Sequence, residues 1–231
     1  MKISIIIPVY NEENTIIKLI NKINKLNNLN KELIVVNDGS TDNTKKLLET
    51  LIYKDVKIIS HKKNLGKGAA IKSGKKKVTG DIVIIQDADL EYDPKDYKKL
   101  IKPFIEKNAV VVYGSRVLGK KRYELKSFTS ISRAFFNHAL TILSNLINNQ
   151  KLTDAHTCYK VFSSELFKKI KLEENGFAFC PEITTKISNL NLDIFEVPIS
   201  YKGREYNEGK KISYLDGIKA IYALFKYKLL T

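Results

Sequence analysis

A chain of 231 residues with 43% hydrophobic composition buries a full core, as one domain or two closely fused halves, which excludes a disordered or low-complexity class. Its formal net charge of +15, from 40 basic and 25 acidic residues, points to anionic surfaces or phosphate-bearing ligands, yet no RNA-binding signature or zinc-finger spacing accompanies it and a nucleic-acid partner is not expected. No stretch supplies about 18 uninterrupted apolar residues, and the short apolar run at the N-terminus is soon followed by acid, so neither a membrane span nor a signal peptide is expected.

In chain order, Ile3 to Val9 reads as a buried strand, followed by Ile16, Ile17, Ile20, Ile23 and Leu26 at helical spacing. Leu33 to Val36 is a second strand ending in Asn37-Asp38-Gly39-Ser40, and a helix of about Thr41 to Ile52 opens on Ser, Thr and Asp that cap free amides. Val56 to Ile59 is a third strand. The segment Asn64-Leu65-Gly66-Lys67-Gly68 then opens a helix reaching Val78; it suits an anion held on backbone amides, although the P-loop spacing is absent. A strand from Ile82 ends in Asp87, Asp89 and Glu91, a helix runs from Pro94 to Glu106, and Ala109 to Tyr113 is a further strand. Such alternation predicts an α/β fold with a mainly parallel sheet, helices on both faces and ligands beyond the carboxyl ends of the strands.

The second half is less regular. Apolar residues between Ser132 and Asn148 draw a broad helical stripe, read as packing against the core, with a membrane interface as the alternative. Tyr214 to Leu230 is a basic amphipathic helix, with Ile218, Ile221, Tyr222 and Phe225 on one face and lysines at 219, 226 and 228. It suits either an anionic bilayer or the end of a soluble fold. Cys158 and Cys180 read as reduced thiols, in keeping with a cytoplasmic protein, peripheral on the cytosolic face of a membrane if the helices dock there.

The chemistry concentrates at strand ends. Alternate residues of a strand point the same way, so Asp87, Asp89 and Glu91 are expected to converge on one crevice and hold Mg2+ or Mn2+ through one or two carboxylates; an exposed turn is the alternative. Arginine occurs only at 116, 122, 133 and 204 in a chain that otherwise uses lysine, which marks these positions as candidates for bidentate contact with phosphate.

Read together, these segments resemble the family-2 glycosyltransferases, most closely the dolichol-phosphate mannose synthase and related polyprenyl-phosphate sugar synthase group. The resemblance rests on PVYNEE at 8–13, NDGSTD at 37–42, NLGKGAA at 64–70, QDADLEYDP at 86–94, GSR at 114–116, TDAHTCYKVF at 153–162, PEI at 181–183 and VPISYKGREYNEGKKI at 197–212. It implies a single GT-A domain over 1–231, with a nucleotide-sugar-binding half at 1–115 and an acceptor-side half at 116–231. Pro8, Tyr10, Glu12, Val36 and Asp38 would hold the donor nucleoside. Asp87, Ala88 and Asp89 would contact the diphosphate and the metal, with Asp89 the principal ligand and Glu91 standing where many relatives have Gln. Arg116, Arg204 and Lys210 would grip phosphate, Arg116 and Arg133 on the acceptor side, and Arg122 takes no role beyond charge. The implied reaction is an inverting, metal-dependent transfer of mannose or glucose from GDP-mannose or UDP-glucose to a polyprenyl or dolichyl phosphate, at a membrane surface or beside a membrane partner subunit. The alternative acceptor is a hydroxyl of a glycan or polysaccharide precursor. A phosphate monoester is largely dianionic near neutrality and needs no base, whereas a hydroxyl does, and Asp154, then His156, are the nominees.

Overall fold

The computed structural model describes residues 1–118, 128–204 and 214–229, with backbone alone at 128–134 and 214. The first section runs β1 (Ile3–Val9), α1 (Ile16–Asn24), β2 (Lys31–Asn37), α2 (Thr44–Glu49), β3 (Val56–Ser60), α3 (Lys67–Lys75) and β4 (Ile82–Ile85), then a 3-10 turn (Pro94–Asp96), α4 (Tyr97–Glu106) and β5 (Val111–Ser115). There follow α5 (Phe128–Asn148), β6 (Lys160–Ser163), α6 (Ser164–Lys169), α7 (Phe179–Asn189), β7 (Phe195–Pro198) and α8 (Tyr214–Leu229). Strands from both halves enter one seven-stranded sheet in the order β3-β2-β1-β4-β6-β5-β7.

The first four strands are parallel, as the alternation predicts, and β5 pairs parallel with β7. The sheet is therefore mainly parallel, as expected; the exception is β6, a strand not read from the sequence, which lies antiparallel between β4 and β5. This four-residue strand begins at Lys160, whose charge masks the apolar pattern. Its fully buried Nζ donates to Ala155 O at 2.7 Å and lies 3.6 Å from the Tyr113 ring centroid, so the stem packs like a hydrophobe while the ammonium keeps partners.

Helices on both faces explain why the central strands are continuous apolar runs rather than alternating ones. Ile5, Ile6 and Ile7 of β1 are fully buried, as are Ile34, Val35 and Val36 of β2. Each such side chain contributes roughly 1.5–3 kcal/mol. Ile16, Leu19, Ile20 and Ile23 bury one face of α1 at the predicted spacing. α3 instead uses small residues: a Cβ on Gly74 would stand 2.6 Å from Ile6 Cγ2, so Gly74→Val would push the helix off the sheet. α2 is shorter than predicted because Asp42 Oδ1 accepts from Thr44 N at 2.9 Å and turns the chain before the helix begins.

Candidate active site

β2, β1 and β4 are neighbours and parallel, so residues just past their carboxyl ends share one edge of the sheet. β1 goes on to pair with β2 on one side and β4 on the other, so the order of connection reverses at β1 and a crevice opens there. Pro8 pairs with Val36 and Val9 with Asn37, which sets the 8–12 and 36–38 segments side by side. The sequence candidates Pro8, Tyr10, Glu12, Val36, Asp38, Asp87, Ala88 and Asp89 all fall on this edge. Val36 is fully buried and meets the crevice through its backbone at most.

Asp38 has a structural task. Its carboxylate accepts from Leu65 N at 3.0 Å and Gly66 N at 2.7 Å, immediately before α3, and lies 2.6 Å from His61 Nδ1. The amides expected to cradle a ligand anion therefore cradle an internal one, at a helix N-terminus that favours negative charge. The turn requires Gly66, whose φ is +101° and whose Cβ would stand 2.4 Å from Asn175 O.

The acidic residues are aimed by a turn rather than by strand alternation, because β4 ends at Ile85. Asp89 Oδ1 accepts from Glu91 N at 3.1 Å, and Leu90 between them is left-handed with φ 63°. Behind the turn, fully buried Gln86 donates to Asp87 O at 2.9 Å and accepts from the hydroxyls of Tyr97 and Tyr159, each at 2.7 Å. Asp87 Oδ1 is 2.5 Å from Lys67 Nζ. Burial opposes the charge on that lysine, but Asp87 and the two cysteines hold its pKa well above the ordinary value. Asp89 is pushed the other way: burial, then the charges of Asp87 and Glu91, raise its pKa to about 7.

The three acids do not converge, and among the described residues no group of three His, Cys, Asp or Glu side chains is placed to hold a metal. The Glu91 carboxylate is committed to the 201–204 segment instead. Its carboxylate accepts from Tyr201 Oη and from Arg204 N, both at 2.8 Å, and its carbonyl accepts from Lys202 N. Asp96 accepts from Ser200 N at 2.6 Å, so segment 200–204 is pinned across the acidic turn. Arg204 closes the crevice from above, donating through Nε to Asp89 O at 3.0 Å and through Nη2 to Glu12 Oε2 at 2.7 Å.

Arg116 and Asp154 find each other. Nε and Nη2 of Arg116 donate to the two oxygens of Asp154 at 2.7 Å each, and the Arg116 amide adds a third bond at 3.0 Å. Burial works against the Asp154 charge, yet Arg116 holds its pKa below the usual carboxylate range. The expectation that Asp154 serves as a base meets this geometry: a carboxylate with three donors, chelated by a guanidinium, is a poor proton acceptor. The loop carrying it hangs from Glu196, which accepts from the amides of Thr153 and Asp154. Arg116 also lies 5.3 Å from the Tyr201 ring centroid, which joins this pair to the strap over Glu91. In His156, burial lowers the pKa to about 4, so the imidazole is neutral near pH 7, with a buried Nε2 that has no hydrogen-bond partner.

Lys210 and Arg122 lie outside the described residues, as does the side chain of Arg133 on α5. Cys158 and Cys180 are free thiols. The site residues that sequence reasoning passed over are Gln86, Tyr201 and Glu196. Glu196 and Tyr201 act only on partners far away in the chain, and Gln86 is held by Tyr159, 73 positions on, as well as by Tyr97.

Residues 4–171 match the family described as Glycosyl transferase family 2. A UDP-N-acetylglucosamine–dolichyl-phosphate N-acetylglucosaminyltransferase of Methanococcus voltae is 30% identical over 246 residues, spanning 98% of this chain and 96% of the relative. A dolichyl-phosphate beta-glucosyltransferase of Trichomonas vaginalis is 31% identical over 247 residues, spanning 97% and 72%. Among solved structures, glucosyl-3-phosphoglycerate synthase from Mycobacterium tuberculosis, in complex with Mn2+ and UDP-glucose, superposes with a TM-score of 0.74 over 98% of this chain and 78% of that one. At 21% identity that likeness carries the fold alone, which is GT-A. The crevice at the carboxyl ends of β1, β2 and β4, the acidic turn beyond β4 and a family match over most of the length agree: the chain belongs to glycosyl transferase family 2 and is a glycosyltransferase.

Proposed function

We propose that this glycosyltransferase moves a hexose or N-acetylhexosamine from a UDP-sugar to the phosphate of a polyprenyl or dolichyl lipid. The observation that carries the reading is the contrast between Asp89, crowded by Asp87 and Glu91, and a second carboxylate, Asp154, that is chelated by Arg116. Relatives named for dolichyl phosphate cover 97–98% of the chain and transfer N-acetylglucosamine or glucose, which favours a UDP-sugar over the GDP-mannose that the sequence resemblance also allowed.

Asp87 and Asp89 fit a hard divalent ion. Two carboxylates leave most of the shell to phosphate oxygens and water, which is what Mg2+ and Mn2+ take beside a nucleotide, and the crowding that raises Asp89 is relieved by a cation. Bound there, the ion would neutralise charge on the departing diphosphate. The chain's own groups do the rest. Lys67 fixes Asp87 in place. Arg204, set between Glu12 and the Asp89 carbonyl, holds positive charge over the crevice where the leaving phosphates gather. The acceptor phosphate, with a second pKa of about 6, attacks as a dianion and loses no proton. This suits a site in which Asp154, the carboxylate nominated as a base, is locked by Arg116.

The test is transfer of label from UDP-N-acetylglucosamine, UDP-glucose and GDP-mannose, with Mg2+ or Mn2+, to polyprenyl phosphate or to an oligosaccharide. The reading expects label from a UDP-sugar in an organic-soluble product labile to mild acid. Label moving only into the oligosaccharide would overturn the acceptor, and label moving only from GDP-mannose would overturn the donor.

A further inference from the structure

Tyr201 stands where the two halves of the crevice meet, and its two ends serve different neighbours. The Arg116 guanidinium lies over its ring, 5.3 Å from the centroid, while its hydroxyl donates to Glu91 Oε2 at 2.8 Å. Tyr201 also forms an antiparallel bridge with Tyr92, and the two rings meet edge to face at 5.2 Å. From Tyr92 the aromatic contacts continue to Tyr159 at 4.8 Å and from there to Tyr97 at 5.9 Å. The hydroxyls of these last two hold Gln86, which in turn holds the Asp87 carbonyl. Four tyrosines therefore form a column from the 200–204 segment to the base of the acidic turn, with Tyr201 at its outer end. Gly203 keeps room for that ring, since a Cβ there would stand 3.2 Å from Tyr201 Cε1 and Oη.

We propose that Tyr201 is a positioning residue for both substrates, its hydroxyl setting the acidic turn for the nucleoside diphosphate and its ring setting Arg116 for the acceptor phosphate. The identity of those two ligands rests on the function proposed above. Burial, then the Glu91 charge, raise the Tyr201 pKa, so the hydroxyl keeps its proton and remains the donor. Its bond fixes where the Glu91 charge stands beside Asp89, and the same carboxylate accepts from the amide of Arg204. Loss of the hydroxyl therefore loosens the turn and the segment that carries Arg204 over it.

The ring acts on a different group. Nε and Nη2 of Arg116 are engaged by Asp154, and among the described residues Nη1 has no hydrogen-bond partner. Asp154 braces the guanidinium along one edge and Tyr201 braces it on one face, which leaves Nη1 a single orientation. A donor held in this way is preorganised for a phosphate oxygen. The two ends of the side chain can be removed one at a time, so the two effects are separable.

The experiment is calorimetry of the full chain with UDP in the presence of Mn2+ and, separately, with farnesyl phosphate as a short acceptor. Tyr201→Phe keeps the ring and loses the bond to Glu91, so affinity for UDP should fall about tenfold while that for farnesyl phosphate stays within about twofold. Tyr201→Leu loses both contacts and should weaken each ligand about tenfold. In a Glu91→Ala background Tyr201→Phe should cost nothing further toward UDP, because the hydroxyl then has no carboxylate to hold. Unchanged UDP affinity in Tyr201→Phe, or equal weakening of both ligands by that variant, would overturn the proposal. So would a lowered urea midpoint with both affinities intact, the mark of a structural role alone. A wild type that binds neither ligand would overturn the proposed function and this role together, whereas a wild type that binds both beside an unaltered Tyr201→Phe overturns this role only.

Discussion

Two carboxylates in the site, Asp89 partly buried and Asp154 buried, sit in opposite electrostatic states. Asp89 shares its turn with Asp87 and lies beside Glu91, and its pKa rises to about 7. Asp154 is more deeply buried, yet its pKa lies below the ordinary range because a guanidinium is chelated to it. Burial acts in the same direction on both. The difference is a guanidinium chelated to the carboxylate at Asp154, whereas at Asp89 the neighbouring carboxylates outweigh the pull of Arg204, and low surrounding polarity magnifies the contrast. A carboxylate with a permanent partner is a strut, whereas one held among like charges is prepared for an incoming ion.

Removing each carboxylate separately tests that contrast. Asp89→Asn should lower kcat/KM by about 1,000-fold, on the order of 4 kcal/mol of transition-state stabilisation, with the urea midpoint unchanged or raised because a strained charge has gone. Activity within tenfold of wild type would place the cation elsewhere. Asp154→Asn should act in reverse, costing about 3 kcal/mol of stability because Arg116 is left buried without its partner. The double variant Arg116→Met/Asp154→Asn should recover part of that loss. If Asp154 were a proton acceptor, its variant would instead lose turnover at unchanged stability, and urea unfolding beside steady-state kinetics distinguishes the cases.

Arg204 tests the rim of the crevice. It is partly exposed and links Glu12 to the Asp89 carbonyl, so Arg204→Ala should raise the donor KM by roughly tenfold to a hundredfold, up to ~3 kcal/mol. Stability should shift little, since the Glu12 carboxylate keeps the Thr15 hydroxyl. A large fall in the melting temperature would recast Arg204 as a strut of the same kind as Arg116.

What could be read in advance follows from how far each interaction reaches along the chain. β1 and the buried face of α1 were legible because each is a run of isoleucines at one period, and the crevice followed from parallel strands that end in polar residues. The DxD pair was legible for the same reason, although a turn and not a strand aims it. β6 was not, because Lys160 breaks its apolar run and only Tyr113 and the Ala155 carbonyl explain how the charge is tolerated. Neither Asp154 bound to Arg116 nor Glu91 turned toward Tyr201 is visible locally, since the partners lie 38 and 110 positions apart. Both acids stand in motifs that the sequence reading singled out, and only the fold supplies their partners.

A third carboxylate, at the opposite edge of the sheet, extends the comparison beyond the site. Glu32, the second residue of β2, is 3% exposed. It accepts from Ser4 Oγ at 2.6 Å, Lys57 Nζ at 2.7 Å and Thr79 N at 2.8 Å. Burial alone would raise its pKa, but these donors outweigh it and lower the value from 4.5 to about 2. A folded-state pKa below the unfolded one means that the stabilisation is complete above pH 4.5 and is lost as pH falls toward 2. Because the lysine is half in water, the contribution is about 2 kcal/mol rather than the full value of the shift. Glu32→Gln should therefore be less stable than wild type at pH 7, with the gap closing between pH 4.5 and 2 and turnover at neutral pH unaffected. Urea midpoints measured across that window check it, and a gap that persists at pH 2 would assign the stabilisation to packing of the side chain rather than to its charge.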